Sequence, residues 1–224
     1  MGRTTKKAKP AAKLKASTKP RVSTKPKVST KPKALVKLVS DKPKASVKHQ
    51  TPKGWGLSGA NPGFYLASVD TSNSHSGTKC ALLQRGPSRT PEKVWATLMQ
   101  CMGPGKYRSR RLRMSLWVKS KEAGWVQPWM RVDGAQAGVS LSFDNRSKRH
   151  IQGTTGWHQY SIVLDVPLES TAICFGVILG GKGFVWIDDV SFEAVSKKVP
   201  ITDCPCSRNY RGVRLPLNLD FEES

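Results

Sequence analysis

Residues 125–133 read Trp125-Val126-Gln127-Pro128-Trp129-Met130-Arg131-Val132-Asp133. The even positions are apolar and the odd ones aromatic or polar, the two-residue period of a strand with one face on a core. Upstream the pattern repeats, with Leu112, Met114, Leu116 and Val118 inward and Arg113, Ser115, Trp117 and Lys119 outward. Further alternating runs occupy Phe64–Asp70, Lys79–Gln84, Val94–Met102, Gly138–Phe143, Trp157–Asp165, Thr171–Leu179 and Gly183–Phe192. With Arg111–Lys119 and Trp125–Val132 they make nine candidate strands, separated by Gly, Pro, Asn and Ser. No stretch sustains a 3.6-residue period over three turns. Short strands at this spacing predict an all-β antiparallel sandwich or barrel, with helix limited to one turn after Asp144.

Upstream of Gly54-Trp55 the chain changes character. Its first 53 residues carry 17 Lys or Arg and a single acid, Asp41, within a whole-chain net charge of +23. Three copies of Ser-Thr-Lys-Pro begin at Ser17, Ser23 and Ser29. Each proline removes a backbone donor, and the dense like charge leaves too little apolar surface to offset the entropy of ordering. The expectation is a disordered tail over residues 1–53, a β-sandwich over 54–195, and an extension over 196–224. Lys19, Arg21, Lys25, Lys27, Lys31 and Lys33 are its candidate polyanion contacts, holding DNA or RNA by counterion release. Without an aromatic to stack on bases or the bidentate fork of a repeated arginine, such binding is blind to sequence. An anionic membrane surface or acidic polysaccharide is the alternative partner. No secretory signal or membrane span is read from the sequence, which puts the expected location in the cytoplasm or on a nucleoid.

A set of motifs in the body resembles a galactose-binding-like jelly roll of the carbohydrate-binding-module type. They are Gly54-Trp55, Val69-Asp70 with His75-Ser76-Gly77, Gly153-Thr154-Thr155-Gly156-Trp157, and the closing Val185-Trp186-Ile187-Asp188-Asp189-Val190. The set is also similar to uncharacterised bacterial modules in chains labelled transcriptional regulators. The resemblance implies a jelly-roll β-sandwich. Modules of this class begin with Asn-x-x-Phe-Glu upstream of Gly-Trp, whereas here Asn218-Leu219-Asp220-Phe221-Glu222 stands at the far end. Residues 218–223 therefore return to the sheet as a permuted first strand, pair with a second copy, or fray as an acidic end. The first is the favoured account.

Parity makes Trp117, Trp125, Gln127, Trp129 and Arg131 the candidate ligand-binding set, expected on one outer surface where indoles would meet sugar C–H faces and polar groups the hydroxyls. Trp55, Trp157 and Trp186 are the indoles expected in the core. Related modules carry a structural calcium, which puts Asp188, Asp189 and Glu222 forward as metal ligands. No other cofactor is implied, and the partner of the sandwich is a glycan or a protein. The five cysteines, an odd number without an export signal, are expected as reduced thiols, with Cys80, Cys101 and Cys174 buried. No nucleophile elbow, phosphate loop or His-Glu-x-x-His occurs, so the expectation is a binding protein rather than an enzyme; a hydrolase is the weaker alternative.

Overall fold

A computed structural model describes residues 51–87, 93–136, 139–202 and 218–223. Residues 1–50, with the candidate lysines and arginine of the tail, and Cys204 and Cys206 lie outside the described residues. Nine strands are present among the described residues: β1 (Gly56–Ser58), β2 (Tyr65–Asp70), β3 (Cys80–Arg85), β4 (Trp95–Met102), β5 (Arg110–Gly134), β6 (Ser140–Asp144), β7 (Ile151–Val166), β8 (Ser170–Gly180) and β9 (Phe184–Val195). Single 3-10 turns at Pro62–Phe64, Gly105–Tyr107 and Ser147–Arg149 are the helical structure among them. None is long and apolar enough to cross a membrane.

Every pairing is antiparallel. The fold turns on β5. Arg111–Lys119 and Trp125–Val132, read as two strands, are halves of one 25-residue strand. Its first half pairs with β9 and β7, and β9 continues to β3 and β2. Its second half pairs with β8 and β6, and β8 continues to β4 and β1. Between the halves the register to β7 shifts repeatedly from Val118 to Val126, and Glu122 takes a left-handed φ of 51°. Such bulges let one strand turn the corner from one sheet to the other. The Glu122 backbone is held there by Thr154 Oγ1, which accepts from its N–H at 3.0 Å, while Gly124 N–H donates to Lys182 O.

The core lies between the two layers. Leu112, Met114, Leu116 and Val118 come from one half of β5 and Val126, Met130 and Val132 from the other, all at most 1% exposed. Facing them are Leu83, Val185 and Ile187 on one side and Leu98, Ile173, Phe175, Val177 and Leu179 on the other. The alternation therefore reads the core correctly.

Residues 218–223 complete it. Phe221 is fully buried, its ring 5.1 Å from the Trp55 indole, and Trp55 Nε1 donates to Asn218 O at 3.1 Å. Val190 N–H donates to Leu219 O at 3.0 Å. The segment is a series of bends rather than a strand. Anchoring comes from the ring of Phe221 and the carboxylate of Glu222, without a full backbone ladder.

Two expectations, one about cysteine pairing and one about burial, fail. Cys101 and Cys174 are joined as a disulfide rather than reduced. The β4–β8 register sets them directly opposite, with Cα atoms 4.0 Å apart, and a pairing of that kind is not deducible from the count of cysteines. Cys80 is buried and free, and burial pushes its thiol pKa up strongly. Trp55 lies in the core; Trp186 is buried outside it, its Nε1 donating to Asp70 Oδ2, and Trp157 is part-exposed with its ring edge-on to His75.

Candidate functional site

The outer face of the second layer is built from three neighbouring strands whose alternate residues line up in rows. Thr97 on β4, Ile178 on β8 and Gln127 on β5 form one row; Met99, Gly176 and Trp129 form the next. Trp95, Gly180 and Trp125 close one end, and Cys101, Cys174 and Arg131 the other. The central strand carries glycine at two of these row positions, Gly176 and Gly180, where its neighbours close in. A Cβ at Gly180 would overlap the Trp125 indole, and one at Gly176 would overlap the Leu98 carbonyl and Met99. Only hydrogen fits at those positions, so the large side chains of the flanking strands close over β8 while Ile178 stands up between the two gaps.

The result is a cleft of about 360 Å³, lined by Trp95, Met99, Trp129, Phe143, Ile178 and Arg131, with Thr97 and residues 58–60 at the margin. Trp129 Nε1 donates to Thr97 Oγ1 at 2.8 Å, and Thr97 Oγ1 donates to Val177 O at 3.1 Å. Trp129 is thereby locked, only 5% exposed. At the cleft end Arg131 grips Asp133 through two bonds, Nε to Oδ1 at 2.7 Å and Nη2 to Oδ2 at 3.0 Å. Both side chains are buried, 9% and 4% exposed.

Of the five residues expected to bind ligand, Trp129 and Arg131 line this cleft, and Trp125 and Gln127 stand on the same face beside it. Trp117 does not join them. It belongs to the first half of β5, on the outer face of the other layer, where the His75 ring stacks on it at 3.8 Å. Equal parity in one strand puts two residues on one surface only while the strand stays in one sheet, and β5 changes sheets in between. Trp95, Thr97, Met99, Phe143 and Ile178 went unnoticed as site residues, although the period-two argument applied to Val94–Met102 points Trp95, Thr97 and Met99 outward together.

The three proposed metal ligands sit around the loop 71–79. Asp188 Oδ2 accepts the backbone N–H groups of His75 (2.8 Å) and Ser76 (3.2 Å). Asp189, itself at a left-handed φ of 48°, accepts Ser76 Oγ at 2.6 Å and lies 2.7 Å from His75 Nδ1. Glu222 accepts the Thr78 hydroxyl and the backbone N–H groups of Thr78 and Lys79, and its carbonyl accepts Lys79 Nζ. Donors, not lone pairs, point at these carboxylates, and no three acidic, His or Cys side chains converge on a metal position among the described residues. This arrangement does not fit calcium, because the carboxylates are already satisfied by N–H and O–H groups. They work instead as staples for the loop.

The staple is pH-dependent. The Thr78 hydroxyl above all, then the Lys79 and Thr78 N–H groups and the Lys79 charge, hold the Glu222 carboxyl below its ordinary value of 4.5. A depressed carboxyl stabilises the fold above that value, and the contribution disappears as pH falls through the lower, folded one. Asp188 has the opposite sign: burial chiefly raises its pKa, so its charged form costs stability as pH rises through the folded value. Glu222→Gln isolates the first effect. Denaturant titrations should show the variant less stable than the parent at neutral pH, with the gap closing as pH falls below about 4. A gap that does not change with pH would remove Glu222 from the staple.

No family model matches the sequence. A protein of Bacillus subtilis (strain 168) described as an uncharacterized HTH-type transcriptional regulator, YbfP, is 40% identical over 191 residues, which cover 84% of this chain and 63% of that protein. The chain thus spans less than two thirds of that relative's length. Among solved structures, the enzymatically active domain of bacteriophage CBA120 tailspike protein 4 has a TM-score of 0.49 at 14% identity, over 65% of this chain and 20% of that one. The CBM22-1 xylan-binding domain of Paenibacillus barcinonensis Xyn10C has a TM-score of 0.46 at 13% identity, over 65% and 88%. TmCBM61 in complex with β-1,4-galactotriose has a TM-score of 0.42 at 17% identity, over 65% and 91%. The relative and the two carbohydrate-binding structures match the two resemblances read from the motifs, regulator label and module.

Proposed function

We propose that the β-sandwich is a non-catalytic module that holds a saccharide in the cleft over β4, β8 and β5. The observation that carries this reading is the pairing of a preformed aromatic cleft, with Trp95 and Trp129 in its lining, and a single buried ion pair at its end. Small-molecule sites are mostly apolar, largely preformed and furnished with few polar groups, and an indole complements the C–H face of a pyranose. Binding without chemistry is favoured by the lining itself, which among the described residues includes no carboxylate and no His. Trp95 is the part-exposed indole and the better probe, because Trp129 is also a packing residue. Trp95→Ala should weaken glycan binding about tenfold or more while the fold is retained. Glycan-array and calorimetric binding equal to the parent would overturn the reading.

The lysine-rich tail supports a second contact of the same molecule, a polyanion, with nucleic acid the first choice. Its charge excess is the supporting observation. If about eight lysines each neutralise a phosphate, affinity for a random duplex falls about a thousandfold between roughly 50 and 200 mM salt. A chain lacking residues 1–50 should lose that slope. Equal binding by the shortened chain would assign nucleic acid to the sandwich or to nothing.

A further inference from the structure

The cleft's chemistry narrows its ligand. We infer, on the reading of the cleft as a saccharide site, that it selects a neutral sugar carrying a methyl group rather than a fully hydroxylated or acidic one.

A buried hydroxyl that finds no partner costs about 1–3 kcal/mol, so a cleft for a hydroxyl-rich ring must present about as many polar atoms as the hydroxyls it covers. This cleft does not. The Trp129 indole N–H is spent on Thr97, and the Thr97 hydroxyl is spent on Trp129 and Val177. Arg131 directs Nε and Nη2 at Asp133. The remaining side-chain walls are Trp95, Met99, Phe143, Ile178 and Ala60, mostly carbon surface, with the Trp95 indole N–H and the Ser58 hydroxyl as the polar atoms of these remaining side chains. At the centre Ile178 projects from β8 with glycine two residues away on either side, Gly176 and Gly180, so a branched aliphatic group forms the floor between two aromatic rows. A methyl group of the ligand satisfies such a floor; a hydroxymethyl does not.

Charge points the same way. Arg131 is the charged side chain of the lining, and the two-point contact with the Asp133 carboxylate behind it neutralises that charge. A uronate or sulfate would enter an apolar cleft without a counter-charge, which is unfavourable. The shared ligand chemistry is thus a neutral hexose whose methyl comes from a 6-deoxy carbon or from an N-acetyl group.

Calorimetry with the full chain at fixed, moderate ionic strength tests this. The panel is rhamnose- and fucose-containing oligosaccharides, N-acetylglucosamine oligomers, gluco- and galacto-oligomers, and oligogalacturonate. Binding assigned to the cleft is the part lost in Trp95→Ala, which separates it from adsorption of uronates to the lysine tail. At least one methyl-bearing class should bind roughly tenfold tighter than its hydroxylated counterpart, the size of one group in an apolar pocket. Which class does so identifies the source of the methyl. Ile178→Thr, a β-branched replacement at a part-exposed position, should shrink that ratio while leaving the melting curve in place. Cleft binding in which hydroxylated or uronate sugars equal or exceed the methyl-bearing ones overturns this inference and leaves the saccharide site standing. Absence of any glycan binding overturns both.

Discussion

Phe221→Ala is expected to cost about 3–5 kcal/mol, the usual loss when a fully buried phenyl ring is truncated. In a domain of this size that is a fall in melting temperature of roughly 6–20 °C. The size of the effect follows from position, not from the segment's own structure. Phe221 is wholly inaccessible and packs on Trp55, which in turn meets Phe175 edge-on at 5.6 Å. Relaxation into the cavity is opposed by the hydrogen bonds that hold the segment on either side of the ring, Trp55 Nε1 to Asn218 O and Val190 N–H to Leu219 O. Differential scanning calorimetry together with denaturant unfolding provides the readout. A change under about 0.5 kcal/mol, the scale of ordinary surface substitutions, would mean that the segment is not part of the core.

Separating Arg131 from Asp133 should be nearly as damaging. Asp133→Ala leaves a buried guanidinium without its carboxylate, and breaking a buried pair in this way costs about 3–5 kcal/mol. The double replacement Arg131→Met/Asp133→Leu removes both charges and fills similar volume, and it should recover most of that loss. Denaturant unfolding of the parent, both single variants and the double variant gives the coupling directly. If the double variant were as unstable as the sum of the two singles, the pair would be a coincidence of packing and not a linked unit.

Much of this architecture was legible. Even positions of 112–118 and 126–132 do form the core, and the motif Asn218-Leu219-Asp220-Phe221-Glu222 does mark a segment that meets Trp55. What escaped has physical reasons. The run Ser120-Lys121-Glu122-Ala123-Gly124 breaks the alternation and so looks like a turn between two strands. In the fold it is a corner that the chain rounds without ending its strand. That one misreading moved Trp117 onto the wrong surface. The cleft was half visible: β5 supplied Trp129 and Arg131, but Trp95 and Ile178 join them through pairings with β8 that no local pattern encodes. The disulfide was invisible for the same reason, since opposing Cys101 to Cys174 is a statement about register. The carboxylates Asp188, Asp189 and Glu222 are visible in the sequence as acids, but the N–H and O–H groups aimed at them in the fold are not.

The contact between Trp55 and Asn218 has a mechanical corollary. If force is applied through residue 53 on one side and residue 223 on the other, tension enters and leaves the sandwich at neighbouring points. The exposed Lys53–Glu223 pair, at 3.3 Å, lies on that line as well. Pulling then peels a small patch open one bond at a time and leaves the nine strands unstretched. Under traction on these two points the sandwich would yield first by releasing residues 218–223, before the sheets shear.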